Sequence, residues 1–118
     1  MQANTIGDTY VWGLVETDGA TPLPLSGVST AKIAIAGPYT TSALAMAASS
    51  TAGTLYPATF TTSPPTVTWI TTISGQNGAT QTTYPSGGYY AHQVVITYSN
   101  GNVAKSRTFC LQISGSIA

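Results

Sequence analysis

Residues 86–113, SGGYYAHQVVITYSNGNVAKSRTFCLQI, decide how this chain folds. Two runs rich in aromatic and β-branched residues, Tyr89 to Tyr98 and Val103 to Ile113, flank Ser99-Asn100-Gly101, a sequence that favours a tight reversal. The pattern predicts a β-hairpin, and its second strand sets Phe109, Leu111 and Ile113 on one face. On the first strand His92 interrupts the face made by Tyr90, Val94 and Ile96, so it reads as a hydrogen-bonded, partly buried histidine ahead of a pH switch. Gly88-Tyr89-Tyr90 reads as a tyrosine corner ahead of an exposed binding pair.

The same two-residue period recurs elsewhere along the chain. Thr9 to Glu16 places Tyr10, Trp12 and Leu14 on one face and Val11 and Val15 on the other, and Asp18-Gly19 supplies a turn. Pro22 and Pro24 cannot donate to a ladder, so TPLPLSG is expected as an edge or crossing segment before a strand over Val28 to Ala36. In that strand Ala31, Ile33 and Ile35 share a face, and Gly37-Pro38 is expected to end it. Strands follow at Ala58 to Thr62 and Thr66 to Ile73, the latter with Val67, Trp69 and Ile73 inward. Gln76-Asn77-Gly78 then predicts a hairpin into Ala79 to Tyr84. Seven or eight short strands joined by Gly, Pro and Asn turns predict an all-β chain folded as one immunoglobulin-like antiparallel β-sandwich over residues 7–118, with residues 1–6 as an N-terminal arm.

Composition narrows the setting. Charged residues are 5% of the 118, where about a quarter is usual, and the net charge is zero. Nucleic acid and anionic membrane both require a clustered field of one sign, so neither is expected as a partner. The 21 Thr and 12 Ser supply the polar surface instead. Neither a basic n-region nor an apolar h-region opens the chain, and Ala43 to Ala48 is far short of the roughly 20 residues of a membrane span. Cys110 has no second cysteine to pair with and reads as a buried thiol or one on the opposite sheet face.

Two stretches resemble a known family. GDTYVWGLVETDGATPLPLSG, residues 7–27, is similar to the first hairpin of the immunoglobulin-like domains of tailed-phage virions, including the N-terminal domain of baseplate upper proteins. Residues 86–113 resemble their closing hairpin, and the two cover 49 of 118 residues. A free-standing domain without a long C-terminal extension looks more like a capsid decoration protein. The resemblance implies a virion protein, assembled in the host cytoplasm on the outer capsid surface, that binds the major capsid protein and forms homo-oligomers, a trimer favoured. A tail or baseplate domain and a carbohydrate-binding or adhesion module are the alternatives.

No enzymatic constellation is expected. The acids are Asp8, Glu16 and Asp18, all at the first strand and its turn, and a triad of His92, Asp8 and a serine is a combination that 12 serines make almost automatic. One Cys and one His cannot supply a four-ligand zinc site; calcium held by Asp8 and Asp18 with backbone carbonyls stays open, although their spacing is not that of an EF-hand loop. No cofactor, metal or catalytic residue is therefore assigned. Trp12 and Trp69 read as core aromatics across two sheets ahead of a sugar platform, and Lys32, Lys105 and Arg107 as solvated side chains. Residues 39–56 lose the two-residue period, leaving a short helix over SALAMAAS and a loop equally open. Two expectations stand side by side for this stretch: an apolar surface awaiting another chain, or a loop folded over its own core. On the first, Tyr39, Leu44, Met46, Leu55 and Tyr56, with Met1 and Gln2 of the arm, are the candidate interface.

Overall fold

A computed structural model describes residues 3, 9–16, 18–49, 52–75 and 79–115. Among the described residues, seven antiparallel strands and one helical turn run in the order β1 (Thr9–Gly13), β2 (Val28–Tyr39), α1 (Ser42–Met46), β3 (Thr54–Thr62), β4 (Pro65–Ile70), β5 (Gly88–Tyr98), β6 (Val103–Lys105) and β7 (Phe109–Ile113). They form a single path, β1-β4-β3-β2-β5-β6, with β7 also on β5. The fold is all-β, as the alternation predicts.

The path becomes two layers at β3, which changes partner halfway. Thr54 to Ala58 pair with Ile35 to Ala31 of β2, whereas Thr59 to Thr62 pair with Thr68 to Pro65 of β4. The sheet folds over there, bringing Trp12 against Phe109 (ring centroids 4.6 Å apart) and Trp69 against His92 (6.0 Å). Trp12 and Trp69 stand on neighbouring strands of one layer, 6.2 Å apart and nearly parallel, and the residues they meet across the sandwich are Phe109 and His92. Ile33, Ile35, Val67, Trp69, Tyr90, Val94, Ile96 and Ile113 fill the interior.

Several boundaries differ from the sequence reading. β2 runs past Gly37-Pro38 to Tyr39, because a bulge after Ala36 absorbs the two residues and pairing resumes at Tyr39–Tyr89. Gly37 is required there: its φ is +140°, and a Cβ would lie 2.9 Å from the Tyr89 carbonyl oxygen. β3 begins at Thr54, so Leu55 and Tyr56 belong to a paired strand. The first strand stops at Gly13, and a single bridge, Val15–Pro22, continues its line. β4 spans Pro65–Ile70, leaving Ile73 beyond it. The run Val103 to Ile113 divides into β6 and β7, because Ser106 turns its hydroxyl into the ladder, accepting from Val94 N–H and donating to the Arg107 carbonyl.

Ala79 to Tyr84 is not a strand. Threonine hydroxyls take the ladder positions instead: Thr72 N–H donates to Thr83 Oγ1 and Ser74 N–H to Thr82 Oγ1, both at 2.9 Å. The Gln76-Asn77-Gly78 signal lies outside the described residues.

Candidate functional site

The outer face of β2, β5 and β7 is covered at one end by α1. Thr41 caps the turn, its Oγ1 accepting from Leu44 N–H at 3.2 Å. Ala45 is fully buried and packs with Ala36 and Ala91, while Tyr39, Ala48, Tyr89 and Cys110 close the rim. Alanine on all three elements lets the turn sit close to the sheet. Cys110 therefore occupies the face opposite the Phe109, Leu111 and Ile113 row, and burial pushes its thiol up.

Seating Ala45 inward turns its neighbours outward. Leu44 is 53% exposed and Met46 49%, and Leu55, paired with Ala34 on this same face, is 51% exposed. No charged residue lies on α1. Lys32, on the same face as Ala34 and Ala36, stands about 7 Å along the strand from the Ala34–Leu55 pair and about 13 Å from Ala36, so charge enters the face only beyond Leu55. The result is an apolar, uncharged end of the sheet.

The candidate interface residues thus separate. Leu44, Met46 and Leu55 are directed to solvent on one face. Tyr39 is half-buried at the rim, and Tyr56 faces the interior beside Ile33, its hydroxyl donating to the Thr82 carbonyl at 3.2 Å. Met1 and Gln2 lie outside the described residues; Ala3, within the segment read as an arm, is buried in the core and donates its N–H to the Ser114 carbonyl at 2.8 Å. Ala36, Ala45 and Ala91 were not singled out from sequence. Their signal was the run Ile33-Ala34-Ile35-Ala36, apolar on both faces, which marks a strand covered on both sides.

The polar residues considered for chemistry are committed to structure. His92 is 1% exposed; its Nδ1 lies 3.1 Å from the Tyr90 carbonyl and its Nε2 2.7 Å from the Tyr84 hydroxyl. A carbonyl only accepts, so Nδ1 carries the proton and Nε2 accepts from Tyr84. Burial holds the His92 imidazole down to about 4 and pushes the Tyr84 phenol far above its ordinary value. The Tyr90 hydroxyl donates to the Ser86 carbonyl at 2.6 Å, the bond of a tyrosine corner. The Asp18 carboxylate closes its own turn, accepting from Ala20 N–H and Thr21 N–H and from the Thr21 hydroxyl, which lowers it to about 2. Asp8, the other acid weighed for calcium and for a triad, lies outside the described residues. Among the described residues no three His, Cys, Asp or Glu side chains are grouped, and no helix is long and apolar enough to cross a membrane.

No protein-family model, curated protein or solved structure matches the chain.

Proposed function

We propose that the protein is a structural component of a tailed-phage virion that decorates the capsid and stabilises it by binding the major capsid protein lattice. The observation that carries the reading is the α1 end of the sheet, where Leu44, Met46 and Leu55 expose half their surface with no charge on the helix. A face of this kind suits a neutral, apolar protein surface. The resemblance of residues 7–27 and 86–113 to virion domains supports the same assignment. Stabilisation follows from mass action: a protein that binds only the assembled lattice strengthens it by about 2.7 kcal/mol per site at a concentration of 100 times the dissociation constant.

The test adds purified protein to undecorated capsids and, separately, to purified tails from the same genome. The reading requires cosedimentation with capsids and a higher capsid melting temperature. Binding to tails alone would replace it with the tail or baseplate alternative.

A further inference from the structure

A second surface lies at the other end of β5 from α1, where the sheet path ends. β6 pairs with β5 through Val103–Thr97, Ala104–Ile96 and Lys105–Val95, and no described residue pairs with its other edge. The hydrogen bonds that bracket β6 fix which backbone groups point where. Tyr98 N–H donates to the Asn102 carbonyl at 2.8 Å and Ser106 N–H to the Val94 carbonyl at 3.0 Å. In an antiparallel ladder hydrogen-bonded pairs alternate, so Ala104 is the next residue bonded to β5, and Val103 and Lys105 turn their N–H and C=O groups to the open edge.

Beside this edge runs a cleft of about 350 Å³ between Ala104–Ser106 on one side and Leu14–Glu16 with Leu23 on the other. Leu14, Leu23, Val94 and Ile96 make it apolar. The far wall is fixed by Leu23 N–H to the Leu14 carbonyl (3.1 Å) and Glu16 N–H to the Thr21 carbonyl (2.8 Å). Charge is distributed unevenly around it. Lys105 and Arg107, two of the chain's three cations, are exposed on the edge, and Glu16 stands on the opposite lip. None of the three is in an ion pair among the described residues.

We infer that this edge and cleft form a recognition site for an extended, acidic segment of a partner protein, bound by addition as a strand to β6. The outward groups of Val103 and Lys105 supply the main-chain bonds. A residue opposite Ala104 turns its side chain into the cleft and is apolar; those opposite Val103 and Lys105 lie on the outer face and are apolar and acidic respectively. Glu16 repels a carboxylate from the far lip and so orients the segment. The same cations oppose edge-to-edge pairing with a second copy, since each copy brings its own Lys105 and Arg107 to the seam. The site is separate from the α1 face and does not depend on the virion reading.

The probe is the peptide acetyl-Thr-Val-Val-Glu-Val-Glu-Thr-amide, titrated into the ¹⁵N-labelled full chain, with a control in which both Glu are Lys. We expect saturable binding with a dissociation constant of roughly 100 μM or tighter, shifts centred on Val103 to Lys105, and slowed exchange of the Val103 and Lys105 amides. The Lys peptide, and the acidic peptide on K105E/R107E, should bind about tenfold more weakly or worse. Val103→Pro removes one outward donor that the sheet does not use and should abolish binding with the fold retained. Absence of binding, indifference to peptide charge, or shifts centred elsewhere would overturn the assignment. Should Val103→Pro fail to fold, the charge variant and the exchange data on the unaltered chain decide.

Discussion

Acidification titrates His92, and the geometry around it sets the sign and size of the effect. The ring is held between Phe109 (5.2 Å, nearly parallel) and Trp69 (6.0 Å), with Tyr84 and the Tyr90 carbonyl on its two nitrogens and, among the described residues, no carboxylate in range. The charged form therefore loses its hydration and gains little, which pulls the folded-state pKa from 6.5 to about 4. An unfolded chain binds this proton more tightly than the folded one. The stability it represents is complete above pH 6.5 and is lost as pH falls from 6.5 to about 4, after which this group adds no further slope. At 1.36 kcal/mol per tenfold change in proton affinity, the loss is about 3 kcal/mol, a large part of the stability of a domain this size. Urea unfolding followed by tryptophan fluorescence at pH 7.5, 6.5, 5.5 and 4.5 measures it directly. His92→Gln keeps an acceptor for Tyr84 and a donor for Tyr90 without a titrating group, and should flatten the curve over that window. Equal slopes in the two proteins between pH 6.5 and 4.5 would refute the placement of an uncompensated imidazole.

Other perturbations probe the packing. Trp69→Ala should cost about 3 to 5 kcal/mol in the same urea assay, since the indole is 2% exposed and stacked 5.0 Å from Tyr10. Tyr90→Phe removes the bond to the Ser86 carbonyl and should cost about 1 kcal/mol with the β-sheet spectrum unchanged. Gly37→Ala drives a Cβ to 2.9 Å from both the Tyr89 carbonyl and the Tyr90 ring at a φ of +140°, and should lower stability by more than about 1 kcal/mol. A Gly37→Ala protein of unaltered melting temperature would contradict the bulge.

What the sequence made legible was the alternating hairpin at 86–113, the Asp18 turn and the inward row Ala31, Ile33 and Ile35, all of which depend on local period and turn chemistry. Three features escaped it for physical reasons. Pro57 sits inside β3, where half of the strand has left β4, so its missing N–H breaks the sequence signal without breaking the sheet. The segment 79–84 has strand composition, yet Thr82 and Thr83 meet Ser74 and Thr72 through side chains. The α1 site depends on close approach of Ala36, Ala45 and Ala91, and alanine marks neither an interior nor a surface by itself. Of the residues singled out by the loss of period after residue 39, Leu44, Met46 and Leu55 are exposed, whereas Tyr56 carried the same signal and turns inward.

The most direct test of the proposed role is the binding isotherm of L44E/M46E/L55E on undecorated capsids, beside the unaltered chain. All three side chains are about half exposed, so the variant should unfold within about 0.5 kcal/mol per site of its parent. Three carboxylates on the α1 face should abolish cosedimentation and the rise in capsid melting temperature. A folded variant that binds and stabilises capsids as its parent does would show that this face is not the contact.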